Sequence, residues 1–268
     1  MSTAHRSTSR RAWVTGASVG IGAAFARRLA RDGYDLSLVA RSRRQLEQLA
    51  DELHAAHGIR AEAVAADLTD AKELLEVEHA LAHDGHLALL VNNAGFGTNG
   101  AFASLDVGRE EDEIRLNVVA LTRLTRAALP GLIRRDHGGV INVSSLAGLQ
   151  PAPFNATYGA TKAFVNSFTE ALYEELRGTG VRVMALCPGF TRTEFQERAG
   201  IDTSGIPSLA WMSAEAVVDA AMAGYARGEA VCVPGFGNWA MSGVTAAMPR
   251  ALVRRLLGVA SARVLRHR

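Results

Sequence analysis

Cysteine is scarce: Cys187 and Cys232 are the only two in a chain of 268 residues. Both stand in apolar, strand-like runs (VRVMALC and VCV) without metal-ligand spacing, so the sequence argues against a disulfide-stapled scaffold and offers no metal site. They read as buried reduced thiols, which suits a reducing compartment. Long apolar runs are also missing: no stretch of about 18 uninterrupted apolar residues exists, and nothing is predicted to span a membrane. The opening MSTAHRSTSRR is polar and basic with no apolar segment behind it, so no signal peptide is read there and the expected address is the cytoplasm. A dominant charge sign is absent as well. Lys and Arg number 29 against 27 Asp and Glu, a net charge of +2 that leaves no footprint for nucleic acid. Repeats and low-complexity linkers are lacking too, which removes solenoid and multi-domain readings.

What the chain does have is an ordinary globular composition, 48% hydrophobic and 21% charged, at a length that suits one α/β domain. Short apolar runs rich in Val, Leu and Ile occupy 12–15, 35–40, 61–66, 87–91, 139–144, 182–187 and 230–234. Amphipathic, helix-period stretches lie between them, at 20–32, 43–57, 70–83, 110–135 and 156–177. Near-continuous apolar runs are the mark of strands buried on both faces. The alternation therefore predicts an α/β, doubly wound parallel sheet, Rossmann-like, in a single domain. Ligands of such sheets bind beyond the carboxyl ends of the strands, and the irregular segment 190–213 is placed to cover one.

The first strand runs into TGASVGIG, with Gly16, Gly20 and Gly22 ahead of a helix. Glycines there let the backbone turn tightly and approach a ligand, and the free N–H groups of the helix start attract phosphate. The second strand ends at Ala40, where an acid would bind the ribose hydroxyls of NAD; Arg41, Arg43 and Arg44 follow instead, which suits the 2′-phosphate of NADP. Three arginines at a helix N-terminus also oppose the helix dipole, a conflict that bound phosphate relieves. The third strand runs into Asp67 and Leu68, where an adenine edge fits, although Asp67 taken alone reads equally as a cap for the helix near Asp70. The fourth ends in NNAGFG, small residues that admit a cofactor close to the backbone. In YGATK, Tyr158 and Lys162 stand one helical turn apart, a spacing that by itself describes many solvated helix surfaces.

Taken together, TGASVGIG, ADL, NNAG, LNVVAL, INVSSLAG, YGATK and PGFTRT, in this order, resemble the short-chain dehydrogenase/reductase family over roughly residues 10–235. NNAGFG, KAFVNSF and PGFTRTEF resemble most its bacterial DltE-like oxidoreductases. The resemblance implies that Tyr158 is the catalytic acid and base, that Ser145, 13 residues upstream, holds the substrate carbonyl, and that Lys162 lowers the tyrosine's proton affinity and holds the nicotinamide ribose. Ser144 is read as structural. Asn117 resembles the asparagine that anchors a water leading from Lys162 to solvent. Cofactor contacts are implied for Gly16, Ser18, Gly20, Ile21, Gly22, Arg41, Asp67, Leu68, Asn93, Gly95, Tyr158, Lys162, Pro188, Gly189 and either Thr191 or Thr193.

The expected protein is thus an oxidoreductase that prefers NADP(H) over NAD(H) and moves a hydride to or from an apolar carbonyl or secondary alcohol, with no metal. Phe96, Phe154, Phe190, Phe195, Trp211 and Met212 are candidates for an apolar substrate wall. A nucleotide-bound sensor of the same fold without turnover is the alternative, and a nucleotide-sugar epimerase or dehydratase a third. By family analogy a homodimer or homotetramer is expected, with Phe164, Phe168 and Leu172 on the contact face or turned to the sheet. The expected organisation is a flexible tail over 1–9, a catalytic domain over 10–235, and a helical extension over 236–268. That extension ends in PRALVRRLLGVASARVLRHR, six arginines and no acid. Leu252, Val253, Leu256, Leu257, Ala260 and Val264 share a helical face there, read as packing on the domain or a partner subunit in preference to peripheral membrane contact.

Overall fold

A computed structural model describes residues 10–203 and 205–265; the expected tail over 1–9 lies outside the described residues. In chain order the first half runs β1 Arg11–Thr15, α1 Gly20–Arg31, β2 Asp35–Ala40, α2 Arg43–His57, β3 Ala61–Ala65, α3 Ala71–Ala82 and β4 Leu87–Asn92. The second half adds α4 Val107–Ile114, α5 Leu121–Arg135, β5 Gly138–Val143, α6 Ala156–Glu175, β6 Val181–Leu186, β7 Thr191–Arg192, α7 Phe195–Arg198, β8 Met212–Ser213, α8 Ala214–Arg227, β9 Val231–Cys232, α9 Phe236–Ala247 and α10 Arg250–Leu265.

Seven strands form one parallel sheet in the order β3-β2-β1-β4-β5-β6-β9. The winding reverses between β1 and β4, and a crevice opens there at the strand ends. Residues of α1, α2 and α8 close one face of the sheet, and those of α3, α5 and α6 the other. Phe25, Leu29, Leu38, Leu90, Leu124 and Ile141 are among the fully buried side chains. Each contributes about 1.5–3 kcal/mol by leaving water, so stability resides in the sheet and leaves the loops at its carboxyl edge free to vary. Local signals set the helix ends. The Asp70 carboxylate accepts from the N–H groups of Lys72 and Glu73, both at 2.9 Å, and so caps α3. Gly58, at φ 68°, ends α2 in the left-handed conformation that glycine adopts without strain. Cys187 and Cys232 are buried and unbridged, and burial pushes their thiols up to about 12 and about 11, which suits packing and not reactivity.

Three expectations need correction. The helix read over 110–135 is helical throughout but not uniformly α: a π-helical segment, Arg115–Ala120, lies between α4 and α5. Such a segment inserts backbone without altering the apolar content of the sequence, so periodicity passes over it. The last strand is two residues long, not five, because Pro234 has no N–H to give and Gly235, at φ 86°, turns the chain away. The irregular segment 190–213 is partly ordered by its own small sheet, in which Thr191 pairs with Met212 and Arg192 with Ser213. On α6, Phe164 is half exposed and stacks on Phe168 at 5.6 Å, whereas Leu172 packs onto the core.

Candidate active site

A cleft of about 1290 Å³ opens at the carboxyl ends of β1, β4, β5 and β6. Its floor is the turn after β1. Gly16 and Gly20 have φ of 64° and 57°, conformations that side chains resist. A Cβ on Gly16 would lie 2.8 Å from Asn93 Nδ2 and 2.9 Å from Ala94 Cα. Asn93 holds the turn in place by donating to the carbonyls of Thr15 at 2.9 Å and Gly16 at 3.2 Å. Thr15 Oγ1 in turn accepts the N–H groups of Asn93 and Ala94. The ends of β1 and β4 are therefore fastened to each other. Helix α1 has Val19 at its N-cap, which gives no side-chain cap, and no acid in its first turn, so its leading N–H groups are open to an anion. Ser18, Gly20 and Ile21 line the cleft. Gly22 does not; a Cβ there would sit 2.1 Å from the Gly16 carbonyl oxygen, so this glycine lets the helix pack on the turn.

At the far end of the cleft Arg41, Asp67 and Leu68 line the wall. Burial works to raise the Asp67 carboxyl, but hydrogen bonds from the Thr69 N–H and hydroxyl and the charge of Arg41 outweigh it, and the group stays below its ordinary value. Arg43 and Arg44 do not reach the cleft, and Arg43 instead faces Glu47 across one exposed turn at 3.8 Å. The basic cluster read from sequence thus narrows to Arg41.

At the near end stand Ser145, Tyr158 and Lys162. Helix α6 places Lys162 Nζ 5.7 Å from the centre of the Tyr158 ring, and the ammonium donates to the Val143 carbonyl at 2.8 Å. Burial pulls the Lys162 ammonium down to about 8, opposed by the carboxylate of Glu113. Burial also pushes the Tyr158 phenol up to about 12; a hydrogen bond with Ser145 acts the other way. Ser144 donates to the Lys162 carbonyl at 2.9 Å, in keeping with a structural part. Gly95 leaves room beneath: a Cβ there would fall 2.8 Å from Asn117 Oδ1 and 3.5 Å from Lys162 Nζ. Asn117, in the π-helical segment, does not line the cleft. Its amide bonds the Phe96 N–H and carbonyl and Thr161 Oγ1, so its side chain is taken up by protein partners.

Pro188, Gly189, Thr191 and Thr193 all line the cleft. Thr191 is buried and donates to the Gly189 carbonyl at 3.1 Å, whereas Thr193 reaches the Thr191 carbonyl only at 3.5 Å. Of the six candidates for an apolar wall, Phe96, Phe190 and Phe195 are on it. Trp211 supports Phe190, with ring centres 5.6 Å apart; Met212 packs on the core, and Phe154 is outside the lining.

Sequence reading missed two contributions. The first is Glu113, fully buried on α4, four residues before Asn117 and so on the same helical face. Its Oε2 accepts the N–H and hydroxyl of Thr98, both at 2.9 Å, while Oε1 has no partner among the described residues. Burial lifts its carboxyl to about 7. Between pH 4.5 and 7 the folded protein therefore binds a proton that the unfolded chain releases, and stability falls as pH rises through that window. Glu113→Gln keeps an acceptor for Thr98 and removes the titration. It should raise stability at pH 8 by roughly 2 kcal/mol and leave it unchanged at pH 4, read from thermal unfolding across pH. An equal effect at both pH values would contradict the assignment. The second contribution comes from the C-terminal helices, where Asn238, Met241 and Leu257 line the cleft beyond Gly189.

Fold and site together define a class: a doubly wound dinucleotide-binding protein with a tyrosine and lysine one helical turn apart at the switch-point crevice. Residues 10–203 match the sequence profile of the short chain dehydrogenases. The chain belongs to the short-chain dehydrogenase/reductase family and is an oxidoreductase. An uncharacterised oxidoreductase of Myxococcus xanthus is 39% identical over 222 residues, 82% of this chain and 85% of that protein. Among solved structures, a short-chain dehydrogenase from Sphingobium yanoikuyae in complex with NADPH superposes with a TM-score of 0.81 at 38% identity, over 90% of this chain and 97% of that one. A bulky-bulky ketone specific alcohol dehydrogenase from Comamonas testosteroni gives 0.78 at 34% identity, over 91% and 97%.

Proposed function

We propose that the protein is an NADP(H)-dependent carbonyl reductase or alcohol dehydrogenase acting on a bulky apolar ketone, aldehyde or secondary alcohol. The observation that carries the chemistry is the convergence of Ser145, Tyr158 and Lys162 on one cleft below the glycine turn. The cradle fits a dinucleotide: positive-φ glycines, uncapped N–H groups at the start of α1, and Arg41 where an acid would select NAD. Gly16, Ser18, Gly20 and Ile21 would hold the pyrophosphate side, and Asp67 and Leu68 the adenine. Asn93, Gly95, Pro188, Gly189 and one of the two threonines would flank the nicotinamide, with Thr193 offering the freer hydroxyl. When bound, the nicotinamide supplies the hydride to the carbonyl carbon or takes it from the alcohol.

The protein's own groups handle the proton. Burial keeps the Tyr158 phenol protonated, which is the form needed to donate to the carbonyl oxygen as negative charge builds there. Ser145 lies beside it as a second hydrogen-bond donor to the same oxygen. In oxidation Tyr158 must act as a base, and a positive charge on Lys162 Nζ, 5.7 Å from the ring centre, would favour the phenolate it needs. Asn117 is a positioning residue: by clamping Phe96 to Thr161 it fixes the β4 loop against α6. Phe96, Phe190, Phe195, Met241 and Leu257 offer a broad apolar surface to the rest of the substrate, and the bulky-ketone enzyme of Comamonas lends this size class support.

Arg41→Ala tests the cofactor. Loss of a charge-assisted bond to the 2′-phosphate should weaken NADPH about 10- to 100-fold and leave NADH within about twofold, read by calorimetric titration. Equal losses for both would remove the phosphate contact.

A further inference from the structure

The two C-terminal helices carry exposed apolar surface of which the proposed reaction uses only Met241. Among the described residues, six large apolar side chains stand in the open on α9 and α10: Phe236, Trp239, Met241, Val244, Leu252 and Leu256. Phe236 is 81% exposed and Trp239 62%, and their rings lie 6.0 Å apart. The expected inward apolar stripe on α10 holds only in part. Val253 is buried and Leu257 reaches the cleft, but Leu252 and Leu256, one turn apart, face outward; the side chains of Ala260 and Val264 lie outside the described set. Exposed apolar clusters of this kind mark a surface that meets a partner.

Charge identifies the partner. No acidic residue follows Glu229, whereas six arginines do, at 250, 254, 255, 263, 266 and 268. Arg250, Arg254 and Arg255 are exposed, and none has a carboxylate within ion-pair distance among the described residues. A second copy docked two-fold on this face would set the same basic run near itself, and like charges would oppose the contact. An anionic lipid surface complements both features, taking Trp and Phe at the headgroup level and the arginines against the phosphates. No helix among the described residues is long and apolar enough to cross a membrane, so the contact lies on the bilayer and not through it.

We propose that α9 and α10 dock the protein peripherally on anionic bilayers, with the cleft mouth toward the lipid. The same two helices supply Asn238, Met241 and Leu257 to the cleft, and Leu209, 96% exposed, is next in sequence to the cleft-lining Ala210. An apolar substrate would then pass from the membrane to the site past Met241 and Leu257. The docking itself does not depend on the proposed reaction, but this route does.

The test is sedimentation of the full chain with vesicles of phosphatidylcholine alone and of phosphatidylcholine mixed with phosphatidylglycerol. The protein should pellet with the mixed vesicles and not with the neutral ones, and high salt should release it. Arg254→Glu combined with Arg255→Glu should weaken binding at least about 25-fold, at roughly fivefold for each charge lost. Phe236→Ser with Trp239→Ser should abolish binding while turnover of a small soluble carbonyl stays unchanged. The arginine variant, confined to exposed side chains, keeps the test valid if the aromatic one fails to fold. No pelleting with either vesicle overturns the proposal, as does equal pelleting with both. A vesicle-indifferent dimer that the aromatic substitutions split into monomers assigns the face to a second copy instead, and also overturns it. Because pelleting is read without turnover, docking can fail while the reductase reading stands, or the reverse.

Discussion

Tyr158→Phe should lower the rate of carbonyl reduction by about 10²–10⁴-fold, the range that a positioned acid contributes, with NADPH affinity held within about twofold. The substitution removes only the phenolic oxygen. The ring keeps its contact with Phe195, whose centre is 5.3 Å away, and its fit against Gly97, where a Cβ would approach Tyr158 Cδ2 to 2.9 Å. Folding and the shape of the cleft are therefore preserved, and the loss falls on the proton that must reach the carbonyl oxygen. Steady-state rates with a bulky ketone, paired with cofactor titration, separate the two quantities. A variant that keeps more than a few percent of wild-type turnover would refute the role given to Tyr158.

Gly22→Ala should both destabilise the fold and weaken dinucleotide binding. The new Cβ would stand 2.1 Å from the Gly16 carbonyl oxygen and 2.6 Å from Asn93 Nδ2. The first of these is backbone, and the second is the group that holds the turn, so neither can swing aside. Relief requires α1 to lift off the turn, which spoils the N–H cradle and the packing of Ala23, Ala24 and Phe25 beneath it. Overpacking of this kind costs roughly 3 kcal/mol, or about 6–10 °C in Tm for a domain of this size, and dinucleotide binding should fall with it. Gly85→Ala, where a Cβ meets nothing within 4 Å, is the matched control and should leave both quantities unchanged. If both variants behave alike, the crowding at Gly22 is not what fixes the turn.

Much of this was legible in the residues. Strands buried on both faces announce themselves as unbroken apolar runs, and the glycine turn, Ala40 followed by Arg41, and Tyr158 with Lys162 each sit where a strand end or helix register puts them. What was hidden follows from tertiary placement. The π-helical segment around Asn117 leaves apolar periodicity nearly intact, and Arg43 and Arg44 look like Arg41 until the start of α2 turns them from the cleft. Gly22 reads as a ligand-facing glycine but serves the contact between helix and turn. Glu113 looks like one more acid in the run EEDE, an ordinary solvated helix, and only its place four residues before Asn117 hinted that it faces inward. Nothing local to the C-terminal sequence says that Asn238, Met241 and Leu257 fold back over the crevice.

The central claim is that this cleft uses NADPH to reduce an apolar carbonyl, with Tyr158 as the proton donor. The most direct test is consumption of NADPH and NADH, followed in parallel by absorbance, with a panel of bulky ketones and with wild type beside Tyr158→Phe. Turnover is expected with NADPH, with much weaker turnover with NADH and near-complete loss in the variant. Tight NADPH binding with no turnover of any carbonyl would favour a nucleotide-bound sensor, and equal use of both cofactors or an active Tyr158→Phe would contradict the account.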